Sequence, residues 1–310
     1  WKKVLKPRFD SWNCNTIGYD GPAAYRTKVP WFGSFGIVPI EKHRSSPKQG
    51  APNAYQFPDE FDPAWVADVT ERIKKAPQAH NDDPWLVGWF WPATPTWDIH
   101  TTRALRGTDW VSEIRKLPKR ASGKTVYIKF LTDLYQGRLS ELNEIYGLSL
   151  DKIEGLADVD LTEIAIGRHR VHDDDQLFLG KIAQRVYLVV GEAQRASDPN
   201  HLVFGDRYLA GDAPDEGLEA AAPLSDAVAG QPGDRYTPQH PPSTIYPERF
   251  IDRLHQITEK PVMICDHAIS YPSTRFPFTI FENKPDAPSA ARATSEFLKA
   301  AFSNPYHLGY

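Results

Sequence analysis

The stretch Asp83-Pro-Trp-Leu-Val-Gly-Trp-Phe-Trp-Pro-Ala-Thr-Pro-Thr-Trp97 decides the fold. It reads as a strand over 85–91 that runs into a proline-broken loop. Bulky apolar residues on both faces predict a strand covered on both sides, as in a parallel sheet. Four tryptophans fall within 13 residues and spill from its end. In α/β barrels, strand ends of this kind carry the active site. Exposed indole faces stack on sugar rings, so Trp91 and Trp97, beside prolines, are candidate binding platforms. The competing expectation is a tryptophan-rich core strand, most natural for Trp85 and Trp89.

Outward from this strand, helices and strands alternate. Upstream, 61–75 is an amphipathic helix that ends before Pro77. Residues 39–58 form a long loop rich in Pro, Gly, Lys and Ser. Strands are expected over 29–35 and 15–20, and a helix end over 1–13. Downstream, 98–123 reads as a polar excursion and 125–146 as one long helix. Residues 150–175 read as acidic and irregular, and 177–196 as an apolar helix. Strands follow over 201–207, 226–230, 261–266 and 305–310. Helices over 215–222, 246–260 and 289–302 separate them, with a proline-rich loop over 232–242.

That rhythm predicts parallel strands joined by helical crossovers. The expected fold class is α/β: a (β/α)8 TIM barrel in a single domain over 1–310. The strand candidates are one short of eight, and the chain opens on a helix end and stops inside a strand. The barrel is therefore expected to lack its first strand and to have its last cut short.

The 310 residues carry a net charge of -4 with both signs interspersed, which points away from nucleic acid and from anionic membrane surfaces. No apolar run approaches the roughly 18 residues of a membrane span. The 12% aromatic content, nine Trp and 27 Pro suit a loop-rich enzyme better than a helical scaffold. The two cysteines, Cys14 and Cys265, each lie in an apolar strand-like segment and are expected as buried free thiols. The single methionine is Met263 and residue 1 is Trp, so a removed leader or a fragment is expected, with a secreted or periplasmic location. No GxSxG, phosphate loop or CxxC is present, and no cofactor is expected.

If 15–19 is strand two, then 85–91 is strand four and 261–266 is strand seven. In one large class of barrel glycosidases, the acid/base glutamate ends strand four and the nucleophilic carboxylate ends strand seven. Retaining hydrolysis needs these two carboxyls about 5–5.5 Å apart.

Several segments carry a more specific resemblance. They include Trp12-Asn-Cys-Asn-Thr-Ile-Gly18, Phe57-Pro-Asp-Glu-Phe-Asp62 and Asp83-Pro-Trp-Leu-Val-Gly-Trp-Phe90. Further on come the helix with Tyr135, Leu142, Asn143 and Tyr146, then Pro199-Asn-His-Leu-Val-Phe-Gly-Asp-Arg207. Lys260-Pro-Val-Met-Ile-Cys-Asp266 and Asn304-Pro-Tyr-His-Leu-Gly-Tyr310 complete the set. In this order they resemble glycoside hydrolase family 50, the β-agarases, over nearly the whole chain. The resemblance implies a carbohydrate partner, a β-linked galactan of agar or carrageenan type.

The departures fall at the catalytic positions. Thr94 stands where the family has its acid/base Glu, and Ala93 where it has Asn. A threonine hydroxyl is no general acid near neutral pH. Asp266 takes the nucleophile position, one methylene shorter than Glu, a shift of about 1 Å. A displaced acid is sought in Asp98, His100 or Asp206, near the predicted strand ends. Arg207 matches the family's arginine after strand five and would orient a carboxylate or bind sugar hydroxyls or sulfate. Asn15, Tyr19, Gln231, Tyr236 and His267 are candidate polar contacts in the cleft. His169, His172, Asp173, Asp174 and Asp175 invite a metal, but lack helical ligand spacing; a solvated acidic loop is expected and no metal. Three outcomes stay open: hydrolysis with a displaced acid, glycan binding without catalysis, and an altered mechanism on a sulfated or anhydro sugar.

Overall fold

The computed structural model describes residues 2–19, 21, 23–35, 57–91, 97–159, 161, 169–209, 213–232, 244–275, 277 and 284–310. The 85–91 stretch forms β2 (Leu86–Phe90), flanked in parallel by β1 (Trp31–Ser34) and β3 (Leu202–Gly205). A second parallel run holds β4 (Arg207–Leu209), β5 (Val228–Gln231), β6 (Val262–Ile264) and β7 (His307–Gly309). β3 and β4 are one chain path broken only at Asp206, so the strands follow one another in chain order. This is the (β/α) barrel arrangement expected from the alternation of elements. The strand expected over 15–20 is reduced to one parallel bridge, Ile17 to Trp31.

Two layers follow from alternation along the strands. Phe32, Phe90, Phe204, Ala227, Ala229 and Cys265 form an inner cluster. Trp91, Val203, Tyr208, Val228, Val262 and Ile264 join the larger core beneath the helices. Gly88 lets β2 and β3 approach: a Cβ there would lie 2.4 Å from the Leu202 carbonyl oxygen. The helices are α1 (Lys2–Ser11), α2 (Pro63–Gln78), α3 (Ile99–Arg106), α4 (Trp110–Lys116), α5 (Ser122–Tyr135), α6 (Leu139–Tyr146), α7 (His169–Ser197), α8 (Asp215–Ala221), α9 (Glu248–Thr258) and α10 (Ala287–Ser303). The long α7 packs against both α2 and α8. Among the described residues, no helix is long and apolar enough to cross a membrane.

The excursion over 98–123 differs from the sequence reading. It contains two capped helices. Asp98 accepts from Thr101 N at 2.7 Å, and Asp109 from Val111 N and Ser112 N at 3.0 Å each. The helix expected over 125–146 is two helices. Gln136 and Gly137 adopt φ of 50° and 74°, and this left-handed pair ends α5. The solvated acidic loop is corrected as well. α7 starts at His169, and Asp174 and Asp175 are buried inside it. Tyr135 and Tyr146 both donate to Asp174 Oδ2, at 2.6 and 2.7 Å, and Arg115 pairs with Asp175. Most of the 39–58 loop lies outside the described residues, as does nearly all of 232–242.

Candidate functional site

Asp266 stands two residues past β6 with φ at 49°, a left-handed conformation that a non-glycine residue holds only under local constraint. Two neighbours supply that constraint. The Tyr19 hydroxyl donates to Asp266 Oδ1 at 2.7 Å, and Arg207 forms an ion pair with Asp266 Oδ2. The Arg207 guanidinium also lies 5.2 Å over the Tyr19 ring centre. Tyr19 and Asp266, 247 positions apart, thus meet just past the Ile17 bridge and just past β6.

A bulge aims Arg207. Phe204 faces the inner cluster, and strict alternation would put Asp206 beside it and Arg207 outside. Gly205, the last residue of β3, instead takes φ of 66°, and the β2–β3 register slips between Val203 and Gly205. The extra residue swaps the faces, as β-bulges do. Asp206 and Tyr208 then point outward to Tyr187 of α7, and Arg207 points inward to Asp266.

The cluster borders a cavity of about 620 Å³. Asn15, Tyr19, Asp266 and His267 supply its polar wall, and Phe32, Phe90 and Phe204 its apolar wall. His267 stacks on Phe297 with ring centres 4.2 Å apart, and its Nδ1 lies 3.0 Å from the Tyr310 hydroxyl. Cys14 and Cys265 also line the cavity. Both are free thiols; Cys265 is buried, whereas Cys14 is exposed, contrary to expectation. Burial pushes the Cys265 thiol up to about 12, so it is no nucleophile near neutral pH. Cys14 and Tyr310 were missed as lining residues because neither has a catalytic signature.

The remaining candidates lie elsewhere. Trp91 and Trp97 are both 0% exposed, which corrects the expectation of stacking platforms. Trp91 Nε1 donates to Gln194 at 2.6 Å and Trp97 Nε1 to the Tyr187 hydroxyl at 2.8 Å. Both rings are pinned to α7. Asp206 is fully buried on the same outer side, where Tyr187 donates to it at 2.6 Å. Burial pushes its carboxyl up to about 7, the range of a general acid, but it faces away from the cavity. Asp98 is the cap of α3, and the exposed His100 packs on His172 with ring centres 5.0 Å apart. Gln231 ends β5, half-buried. None of Asp98, His100, Asp206, Arg207 and Gln231 lines the cavity; Arg207 is linked to it by its ion pair with Asp266. Thr94, Tyr236 and the His169 side chain lie outside the described residues. Among the described residues, no group of three His, Cys, Asp or Glu is placed to hold a metal ion.

No protein-family model matches the chain, and no curated protein matches it. Solved structures do. An exo-β-agarase aligns with 100% of this chain and 41% of its own, at 21% identity and a TM-score of 0.79. The agarase AgWH50C aligns with 100% and 42%, at 19% identity and a TM-score of 0.78. PfGH50B aligns with 100% and 42%, at 21% identity and a TM-score of 0.80. The fold is therefore the one these family-50 proteins share, as the sequence motifs imply. The chain spans about two-fifths of the length of those structures.

Proposed function

We propose that the chain is glycoside-hydrolase-like and engages a β-linked galactan in the Asp266 cavity, with Asp266 as the carboxylate that meets the anomeric carbon. One observation carries this reading. Tyr19 and Asp266 meet in the wall of a cavity of about 620 Å³, with Arg207 ion-paired to Asp266, in a fold shared with agarases. Both neighbours of Asp266 are donors, which suits a carboxylate anion held in one orientation. Fixed orientation is what a nucleophile or base needs, since misplacement by about 1 Å costs about a hundredfold. Asn15 and His267 line the cavity and are the proposed contacts for sugar hydroxyls.

A second reading, glycan binding without turnover, has its own support. Retaining hydrolysis needs a second carboxyl about 5–5.5 Å from the first. Among the described residues that line the cavity, Asp266 is the only carboxylate. Thr94 stands at the acid/base position of the resembling motif.

Calorimetry and a reducing-end assay on agar-type and carrageenan-type oligosaccharides separate the two. Hydrolysis predicts new reducing ends, lost by about a thousandfold or more in Asp266→Ala. Binding without turnover predicts saturable heat and no new reducing ends. Absence of both signals with every oligosaccharide removes both readings.

A further inference from the structure

A second cavity, of about 120 Å³, lies in the excursion after β2. Arg103, Gly107, Thr108, Ser112, Arg115 and Lys116 form most of its wall. It shares no lining residue with the Asp266 cavity. It also stands apart from any reading of Asp266.

Each of its three cations is held by a carboxylate that does not itself line the cavity. Asp109 Oδ2 accepts from Arg103 Nε at 3.1 Å and from Nη2 at 2.6 Å. Glu113 pairs with Lys116, and Asp175 with Arg115. The cations are thus fixed in place with donors to spare. Arg115 is 2% exposed. Its Nε donates to the Tyr127 hydroxyl at 2.8 Å and its Nη2 to Asp175, while Nη1 has no hydrogen-bond partner among the described residues. A buried guanidinium N–H without an acceptor is costly.

The inventory defines what fits. Arg and Lys offer donors and no acceptors. The Thr108 hydroxyl donates to Glu113 and the Ser112 hydroxyl to Asp109, each at 2.6 Å, so their protons are committed. The space holds about four waters' worth of liquid volume. An acceptor-rich anion of compact shape answers the unmet Arg115 donor and meets Arg103 and Lys116 at once. Planar guanidinium groups and an ammonium are the groups that bind sulfate and phosphate oxygens.

We infer that the cavity lined by Arg103, Arg115 and Lys116 is a binding site for a tetrahedral oxyanion, a sulfate or phosphate group. Such a group can arrive as a free ion or as a sulfate ester on a glycan.

The test is calorimetric titration of the full chain with sodium sulfate and with sodium phosphate, against sodium chloride at equal ionic strength. Saturable binding of sulfate or phosphate, absent with chloride, is expected. Lys116→Gln removes the charge but can still donate to Glu113, and it should weaken that binding by about tenfold. Equal heats from chloride, or equal sulfate affinity in the variant, overturn the inference. If the variant fails to fold, a crystal of the unaltered chain soaked in selenate decides. An anomalous peak among Arg103, Arg115 and Lys116 supports the site, and its absence there overturns it. A sulfated galactan oligosaccharide beside its desulfated counterpart separates the sources. A Lys116-dependent preference for the sulfated form assigns the ester; equal binding of the two assigns the free ion.

Discussion

At the scale of the residue, Tyr19 and Gly205 carry the most. Tyr19→Phe removes the 2.7 Å hydrogen bond to Asp266 and leaves the ring in place. Galactan affinity or turnover should fall by about fivefold or more while stability changes by less than about 1.5 kcal/mol, read by calorimetry and urea melts. Gly205→Ala acts through the backbone. Its φ of 66° disfavours any side chain, and a Cβ would sit 3.0 Å from Ser225 Oγ. A loss of about 1–3 kcal/mol is expected in a urea melt, with weakened galactan binding because the bulge aims Arg207. Asp266 and Arg207 were legible in the sequence as candidates because they fall in recognisable motifs, just past β6 and at the start of β4. The bulge was not, since a lone Gly before Asp206 does not reveal which way the next side chain turns. Trp91 and Trp97 misled because nothing local distinguishes an exposed indole from one bonded to Gln194 or Tyr187 about a hundred residues on.

Among the elements, α7 does most to organise the molecule. It receives Trp91 and Trp97 from the end of β2 and Asp206 from the β3–β4 break. Trp97→Phe should therefore cost about 1–3 kcal/mol in a urea melt and leave galactan affinity unchanged. Loss of affinity without loss of stability would restore the tryptophan to the binding site. Burial of carboxyls along this helix sets a pH dependence. Asp175 is pushed up to about 6 and Asp206 to about 7, from 3.8 in the absence of burial. Between those values, the folded chain holds protons that the unfolded chain has released. These two groups stabilise the fold most fully below pH 3.8, and that contribution is lost as pH rises through 6 and 7. Each accounts for a slope of at most about 1.4 kcal/mol per pH unit. Asp206→Asn should flatten the fall of stability with pH across this window, measured by urea melts at each pH; an unchanged slope would contradict the burial argument. The early start of α7 was hidden in the sequence because Asp174 and Asp175 look as solvated as the exposed Asp173 beside them. Their burying partners Arg115, Tyr135 and Tyr146 come from other helices. The caps Asp98 and Asp109 were visible signals of α3 and α4, outweighed by the polarity around them.

In the whole molecule, parallel order was the most legible property. Within each described sheet, β1-β2-β3 and β4-β5-β6-β7, every strand pairs with the next in sequence, as alternation of apolar strands and amphipathic helices requires. The agarase likeness in fold agrees with motifs spread along the chain. The chemistry is less legible, because hydrolysis rests on a pair of carboxyls and only Asp266 lines the cavity among the described residues. The proposed seat of a galactan is the cavity walled by Tyr19 and Asp266. A crystal of the Asp266→Asn chain soaked with an agar-type oligosaccharide tests it most directly. A sugar ring within hydrogen-bond reach of residue 266, Asn15 and His267 is the expected result. An ordered oligosaccharide seated elsewhere, with this cavity left to solvent, would contradict it.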